Sequence, residues 1–303
     1  MDNRKYMKLL SFKYNGAVRP GVMLGSSEEI LDLSNIMDSV SSLTDLINLG
    51  EAGLERLGEI LKSPPDNSRI ALSDVEILAP VAEPKRNIFC VGKNYHDHAE
   101  EFHQSGFDAS AGQSAIPDCP IFFSKSYTSI IGPGAAIPAS ADWTNSVDYE
   151  VELGVVIGRG GRNIKKGQAY DHVYGYTIVN DVTARILQQQ HKQWFIGKNI
   201  DNFCPMGPYL ATTGEIANIK KSRVQSYVNG ELRQDSVVKD LIFDIPTLIS
   251  TLSKGMTLIP GDIIATGTPA GVGIGFKPPK FLKKGDICTL SIDGLGTLEN
   301  PVG

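Results

Sequence analysis

Apolar residues in the first part of the chain follow patterns that predict short strands and one helix. Lys8 to Tyr14 and Val22 to Leu24 are rich in apolar, β-prone residues and are separated by turns that contain glycine. Leucines and isoleucines at helical spacing between Ile36 and Leu61 predict a helix, which the polar, proline-bearing segment after it should end. A small β-rich N-terminal unit is therefore expected.

From residue 84 onward, short apolar segments alternate with glycine and proline turns and predict a β-rich main unit. The predicted strands are Ile88 to Val91, Ile121 to Ser124, Val151 to Ile157, Tyr174 to Val179, Ile263 to Thr266 and Cys288 to Ile292. The only clear helix predicted in the second half runs from about Thr183 to Gln193. We therefore expect an α+β, β-rich chain with a small cap domain at residues 1–83 and a larger domain at 84–303.

Composition and charge exclude several classes of partner. The chain has 303 residues, of which 41% are hydrophobic and 21% charged, and it contains no apolar run long enough to span a bilayer. The net charge is −5 with no long charged block, so neither nucleic acid nor a membrane is an expected partner. Four separated cysteines without CxxC spacing, and no secretory signal at the start, predict reduced thiols in the cytoplasm.

Acidic and apolar residues alternate from Asp148 to Val155, which predicts a strand. Because side chains on a strand alternate between its faces, Asp148, Glu150 and Glu152 are expected on one side. Carboxylates at this spacing repel each other unless a cation lies between them or water screens them. The pattern therefore predicts either a metal-binding face or a solvent-exposed polar face.

Asp181 follows a predicted strand and precedes the predicted helix, so its simplest interpretation is a helix N-cap. On that helix, Arg185, Gln188 and Lys192 are expected on one face, where they could bind a small anionic substrate beside Asp181. Three carboxylates, with room for water and substrate oxygens, suit Mg²⁺ or Mn²⁺ better than zinc, which favours His and Cys ligands.

A histidine-rich segment runs from Cys90 to Glu101. His98 and Glu101 are three residues apart, so one helical turn would let the carboxylate orient the imidazole and raise its basicity toward a water proton. Two alternatives remain: an ordinary surface pair, and a zinc site that uses His96 and His98 but lacks further ligands at zinc-like spacing.

Two glycine-rich segments are candidates for binding loops. Thr266 to Gly273 offers hydroxyls and backbone N–H groups that could bind a carboxylate, and it lacks the GK[ST] ending of a nucleotide phosphate loop. Gly158 to Arg162 does not match GxGxxG, so it is interpreted as a turn.

Taken in order, several motifs resemble the fumarylacetoacetate hydrolase family, in its acylpyruvase and hydroxyheptadienedioate isomerase-like branch. The matching segments are Cys90 to Glu101, Gly132 to Gly134, Asp148 to Leu153, Asn180 to Arg185, Gly197 and Lys198, Cys204 to Pro208, and Thr266 to Gly273. The resemblance covers roughly Pro84 to the C-terminus. It implies a mixed β-sandwich roll, with the N-terminal part as the family's small cap domain and residues 84–303 as a metal-dependent catalytic domain.

The resemblance also implies roles for particular residues. The metal ligands for Mg²⁺ or Mn²⁺ would be Glu150, Glu152 and Asp181. The catalytic residues would be His98, Glu101, Lys198 and Gln188, with the first two on a mobile segment that closes over the substrate. The substrate-binding residues would be Arg185, Thr268, Lys125 and Tyr95. One departure is Ser126, where many relatives have proline, which would fix φ in a loop beside the site.

The expected activity is hydrolysis of a C–C bond in an acylpyruvate or related diketo acid, with release of a pyruvate enolate. In this scheme His98 activates water, and the metal accepts electron density from the 2-oxo group. The alternatives are isomerisation, tautomerisation or decarboxylation of a 2-oxo dicarboxylate such as hydroxyheptadienedioate or oxaloacetate, and, more remotely, a noncatalytic protein that binds small acids. The resemblance implies a homodimer that acts on a small 2-oxo acid.

Overall fold

Strands dominate the protein, as the alternating patterns predict. The computed structural model describes residues 7–25, 28–108, 114–216 and 218–303. Within these ranges the strands are β1 Lys8–Tyr14, β2 Ala17–Met23, β3 Glu29–Asp32, β4 Arg69–Ala71, β5 Glu76–Leu78, β6 Ile88–Gly92, β7 Ile121–Lys125, β8 Ile130–Ile131, β9 Val147–Asp148, β10 Val151–Ile157, β11 Val173–Asn180, β12 Thr183–Ala184, β13 Cys204–Thr212, β14 Arg223–Val228, β15 Glu231–Val237, β16 Ile263–Ala265, β17 Ile287–Ile292 and β18 Gly296–Pro301. The helices are α1 Leu43–Ile60, α2 His96–Gln104, α3 Arg185–Gln190, α4 Phe195–Lys198 and α5 Ile245–Gly255.

One large mixed sheet forms the body of the molecule, in the order β4-β3-β2-β1-β13-β11-β10-β16-β6-β7. Strands β10 and β11 lie near its middle, pair antiparallel, and are buried along their whole length. Such double-sided burial explains their runs of Val, Ile and Leu. Residues at the ends of these two strands are therefore held deep inside the protein.

A second sheet, in the order β15-β14-β17-β18, packs against the first through one hydrophobic core. The core joins Val224 and Leu290 of the second sheet to Tyr149, Val151 and Leu153. The residues between the predicted acidic positions therefore point into the core, as the alternation predicts. The result is the α+β, strand-rich fold that the sequence indicates.

The N-terminal part is joined to the large sheet through strand β1. Lys8 pairs with Ala211 of β13, so β1 to β4 extend the same sheet. Helix α1 begins at Leu43 and not near Ile36, because Ser42 caps it. The backbone N–H of Asp45 donates to the Ser42 hydroxyl, and the Asp45 carboxylate accepts from the N–H of Ser42. The domain boundary after residue 83 stays a prediction.

The predicted helix from Thr183 to Gln193 is shorter in the structure, where α3 covers only Arg185–Gln190. Thr183–Ala184 instead form β12, which pairs with β9. The residue before the helix is Ala184, so Asp181 is not an N-cap and its carboxylate is available for another purpose.

The expectation of a single clear helix in the second half was wrong, because α5 at Ile245–Gly255 is longer than α3. Its start is marked by Asp244, whose side chain accepts a hydrogen bond from the N–H of Thr247, and by Pro246 in the first turn. Apolar residues at positions 248, 249 and 252 form its buried face. These signals lie in the sequence and could have been recognised.

Two further expectations concern membranes and thiols. None of the helices within the described ranges combines the length and the apolar character that crossing a bilayer requires. All four cysteines are free, and Cys90, Cys204 and Cys288 are buried.

Candidate active site

Three carboxylates converge where strands β10 and β11 meet. Val151 pairs with Asn180 across the two strands, which places Glu150 and Glu152 beside Asp181. One oxygen from each carboxylate lies within 4.8 Å of the others, and all three residues are buried. We call Glu150, Glu152 and Asp181 the acidic trio. Among the described residues, no other group of three or more potential metal ligands occurs.

The electrostatics of the acidic trio fit a divalent cation. Burial raises the pKa of Glu152 well above its ordinary value, and the carboxylates of Asp181 and Glu150 raise it further. Burial would also raise the pKa of Glu150, but the cations of Lys198 and Arg185 outweigh it and lower that pKa. A hard cation that prefers oxygen ligands would relieve the repulsion at Glu152, so these residues could hold Mg²⁺ or Mn²⁺.

Lys198 donates hydrogen bonds to two members of the acidic trio. Its Nζ donates to Oε2 of Glu150 at 2.9 Å and to Oδ2 of Asp181 at 2.7 Å. Burial would lower the pKa of Lys198, but the carboxylates of Asp181 and Glu150 outweigh it and raise that pKa. The ammonium therefore stays charged beside the site.

The balance of formal charges around the acidic trio is compatible with binding a metal ion and an anion together. Four carboxylates and three cations lie in mutual contact, which leaves one excess negative charge; they are Asp148, Glu150, Glu152, Asp181, Lys125, Arg185 and Lys198. A divalent ion would change this to one excess positive charge. Buried charge must be compensated, so the loaded site would favour an anionic substrate.

Asp148 does not join the acidic trio, which corrects the expected shared face of three acidic residues. Strand β9 ends at Asp148 and β10 begins at Val151, so the alternation is interrupted between them. The Asp148 carboxylate accepts hydrogen bonds from the N–H groups of Gly273 and Ile274 at 2.6 and 3.1 Å, and from Nε of Arg185 at 2.9 Å. Asp148 therefore holds Arg185 in place.

Arg185 and Gln188 share one face of α3, as predicted, whereas Lys192 does not. Nη1 of Arg185 donates to Oε1 of Gln188 at 3.2 Å, and Nη2 lies 2.6 Å from Oε1 of Glu150. The helix ends at Gln190, and Lys192 adopts a left-handed backbone conformation beyond it. The predicted alignment of Lys192 on the helix face was wrong, because the helix is too short to include it.

His98 and Glu101 lie on one turn of α2, beside the acidic trio. Nδ1 of His98 lies 3.4 Å from Oε2 of Glu101, and the Glu101 carboxylate accepts from the N–H of Gly271 at 3.0 and 3.2 Å. His98 is only 5% exposed, so the pair is not surface decoration. His96 is exposed and points elsewhere, which argues against a zinc site that includes both histidines.

Of the other three residues expected to bind substrate, Thr268 lines the cavity, whereas Lys125 and Tyr95 do not. Thr268 lines the cavity at the acidic trio, and its hydroxyl donates to the carbonyl oxygen of Val151 at 2.9 Å. Lys125 is fully buried, and its Nζ lies 2.9 Å from Oδ1 of Asp181, outside the cavity wall. Tyr95 packs in the hydrophobic core and does not line the cavity either. The geometry therefore favours a supporting position for Lys125 and Tyr95 over direct substrate contact.

Two cavities meet at the site. The inner cavity, of about 20 Å³, is lined by the site residues His98, Glu150, Glu152, Arg185, Gln188, Lys198 and Thr268. This volume is enough for roughly one water molecule. The outer cavity, of about 460 Å³, shares Lys93, Phe123 and Trp194 with the inner one. A substrate larger than water must therefore extend toward the outer cavity or open the site.

The sequence analysis missed the three residues shared by the cavities. Lys93 lies within the histidine-rich segment from Cys90 to Glu101, but its position depends on a left-handed backbone conformation that the pattern does not reveal. Trp194 fits against Gly92, where any side chain would collide with the indole ring. The glycine was the available signal, because it permits close approach of another group.

Comparisons with known proteins agree with this geometry. The sequence model described as fumarylacetoacetate (FAA) hydrolase, C-terminal, matches residues 87–303. The chain is 47% identical to the oxaloacetate tautomerase YisK of Bacillus subtilis (strain 168), over 91% of this chain and 93% of that protein.

Solved structures show the same fold. A fumarylacetoacetate hydrolase from psychrophilic Exiguobacterium antarcticum superposes with a TM-score of 0.80 at 41% identity, covering 98% of this chain and 99% of the other. The maleylpyruvate hydrolase of Sphingobium sp. SYK-6, solved with manganese (II) ion and pyruvate, gives 0.77 at 30% identity, covering 98% of both chains. Because the family model spans most of the chain and the likeness to these proteins is nearly full-length, this protein is an enzyme that belongs to the fumarylacetoacetate hydrolase family.

Proposed function

We propose that this enzyme uses Mg²⁺ or Mn²⁺ to interconvert the keto and enol forms of a small 2-oxo acid, with oxaloacetate as the substrate. The observation that carries the proposal is the acidic trio: Glu150 and Glu152 line one cavity with His98 and Lys198, and Asp181 lies against the Lys198 ammonium. The 47% identity to an oxaloacetate tautomerase supports this reaction class. The manganese and pyruvate in the Sphingobium structure support the metal and the 2-oxo acid.

The acidic trio would hold the metal. When bound, a divalent ion polarises a 2-oxo carbonyl and makes the neighbouring C3 protons more acidic. Carboxylate oxygens without His or Cys suit Mg²⁺ and Mn²⁺. Nearby, Arg185 and Gln188 line the cavity and can orient the substrate carboxylate through charge-assisted hydrogen bonds.

His98 is placed to move the proton at C3. With Nδ1 facing Glu101, the Nε2 atom of the imidazole remains for the substrate. The N–H of Gly271 anchors Glu101, which in turn orients the ring. The charged Lys198 can donate a hydrogen bond to the 2-oxo oxygen and stabilise the negative charge that develops there. Tautomerisation then requires only that one proton leaves C3 and another reaches the oxygen.

Hydrolysis of an acylpyruvate, which the sequence analysis favoured, is the second candidate. The observation in its favour is that the inner cavity can hold about one water molecule beside His98. The maleylpyruvate hydrolase supports it at 30% identity, which is lower than the 47% of the tautomerase. Decarboxylation of oxaloacetate is a third outcome that the same assays detect. The homodimer and the cytoplasmic location stay predictions.

The test measures three reactions with the purified protein and Mn²⁺ or Mg²⁺: loss of enol-oxaloacetate by ultraviolet absorbance, and release of pyruvate from oxaloacetate and from an acylpyruvate. We expect the metal to accelerate enol loss at least about 100-fold over the EDTA-treated protein, with little pyruvate release. Faster pyruvate release from the acylpyruvate would favour hydrolysis instead. Rates that EDTA does not change would refute the metal-dependent mechanism.

A further inference from the structure

Lys93 lies where the inner and outer cavities meet. It lines both of them, and it is the one charged residue that the two walls share among the described residues. Its side chain is 4% exposed, its Nζ pairs with Oδ2 of Asp108 at 2.6 Å, and it lies 5.4 Å from the centre of the Phe102 ring. A buried ammonium at this boundary faces any ligand that extends from one cavity into the other.

Besides Lys93, the cations that line the inner cavity are Arg185 and Lys198, and both lie against members of the acidic trio. Arg185 contacts Asp148 and Glu150, and Lys198 contacts Glu150 and Asp181. These groups surround the place where the 2-oxo acid end of the substrate would lie. Recognition of a charge at the far end of the substrate therefore needs a cation farther out.

The outer cavity has the charge for this purpose. Its charged lining residues are Lys93, Lys192 and Asp108, which together carry one net positive charge. Asp108 lines only the outer cavity. Within the Lys93–Asp108 ion pair, Lys93 is therefore the residue that also lines the inner cavity. An ammonium has three N–H donors in different directions, so Lys93 can keep its pair with Asp108 and bind a second carboxylate.

We propose that Lys93 binds the distal carboxylate of the substrate and thereby selects dicarboxylic 2-oxo acids over monocarboxylic ones of the same length. The inference rests on the proposed function, in which the 2-oxo acid end of the substrate lies at the acidic trio. Asp108 is a positioning residue that holds the ammonium at the boundary between the cavities. Lys93 thus determines specificity and takes no part in proton transfer.

The experiment compares oxaloacetate with 2-oxobutanoate, two four-carbon 2-oxo acids that differ in a carboxylate or a methyl group at the far end. Isothermal titration calorimetry gives the Kd of each for the Mn²⁺-loaded protein, with oxaloacetate freshly dissolved and kept cold to limit its spontaneous decarboxylation. For Lys93→Met we expect a Kd for oxaloacetate that is about 10- to 100-fold higher, the usual size of a charge-assisted hydrogen bond. The Kd for 2-oxobutanoate should change less than about threefold. Lys93→Arg should restore most of the preference, because it keeps the charge.

Asp108→Asn separates recognition from a structural role of the ion pair. The amide oxygen of the asparagine can still accept a hydrogen bond from the Lys93 ammonium and hold it in place, so the preference for oxaloacetate should remain. If the ion pair were purely structural, Lys93→Met and Asp108→Asn would lose the preference equally. If Lys93→Met does not fold because the buried Asp108 carboxylate loses the ammonium beside it, the double variant Lys93→Met/Asp108→Asn, which removes both charges, is measured in place of Lys93→Met.

Each outcome decides between the two proposals. If wild type binds both ligands and Lys93→Met weakens both equally, or weakens neither, the role of Lys93 is overturned while the proposed function stands. If wild type binds neither ligand, the proposed function fails, and the role of Lys93 fails with it.

Discussion

The two halves of the candidate site are built in different ways. The acidic trio lies on or next to two fully buried strands, β10 and β11. Lys198 contacts two of its members, and the backbone N–H of Gly267 donates to the third. The histidine pair lies on α2, a nine-residue helix, and its two side chains are 3.4 Å apart. In the proposed mechanism, the first group is the metal-binding half of the site and is held by the sheet, whereas the second is the proton-transferring half and depends on a short helix.

Aromatic contacts attach α2 to the rest of the site. Phe102 on this helix packs edge-on against Trp194 at 6.0 Å, and Trp194 packs against Phe123 of β7 at 5.3 Å. Each such contact contributes about 0.5–1.5 kcal/mol beyond the burial of its area, which is less than the loss of a buried ion pair costs. We therefore expect that mutations can separate metal binding from catalysis.

The largest effect is expected from Asp148→Asn, which removes the support of the metal-binding half. The change breaks a buried ion pair with Arg185, so the free energy of unfolding should fall by about 3 kcal/mol. Chemical denaturation measures the loss. The control is Asp32→Asn, which breaks the partly buried pair with Arg19 far from the site. Asp32→Asn should lower stability without lowering the activity of the folded fraction, whereas Asp148→Asn should lower both. If the two variants lose the same fraction of activity, Asp148 has no special role in the site.

Glu152→Gln tests the metal-binding half directly. Loss of an outer partner of a metal ligand typically weakens binding 10- to 100-fold, so loss of the ligand itself should weaken Mn²⁺ binding by at least about 100-fold in calorimetry. The same variant should melt higher than wild type in EDTA. Folding raises the pKa of Glu152, so its charged form destabilises the metal-free protein at pH 7, and removing that charge removes the cost.

In excess Mn²⁺ the order of the melting temperatures should reverse, because only wild type gains stability from the ion. A variant that melts lower than wild type in both conditions would show that Glu152 is structural.

His98→Asn tests the proton-transferring half. We expect kcat to fall by about 100-fold, the lower end of what a general base contributes, while the Kd for Mn²⁺ changes less than about threefold. The matched control is His96→Asn on the same helix, since His96 is exposed and does not line the inner cavity. If Mn²⁺ binding falls together with kcat, the two halves of the site are not separable.

Glu101→Gln should have the smallest effect. The amide can still accept the hydrogen bond from Gly271, so the fold of the loop is kept, but it orients His98 without a charge. We expect kcat to fall about tenfold, since the carboxylate acts only through the imidazole. Steady-state kinetics with oxaloacetate check this role: kcat should fall while KM stays within about threefold of the wild-type value. A loss that appears in KM alone would leave Glu101 with a structural role only.

The sequence predicted those parts of the site that depend on neighbours along the chain. Strands β10 and β11 followed from local alternation and apolar runs, and the His98 and Glu101 pair followed from the spacing of one helical turn. Helix α5 was equally predictable from its N-cap and apolar face. Lys192 was misplaced because helix length depends on packing as well as pattern.

Local patterns along the chain therefore establish the available chemistry: which carboxylates share a strand, which imidazole has a carboxylate one turn away, and which family motifs occur together. Which of these groups meet depends on contacts between distant segments. Asp148 is bound by Gly273, 125 residues further along the chain, and so leaves the acidic trio. Lys93 reaches the boundary of the two cavities, whereas Lys125 and Tyr95 lie outside the inner one. The physical reason is that a side chain's partners inside a folded protein are set by strand pairing and core packing between distant segments, and local patterns carry no record of these contacts.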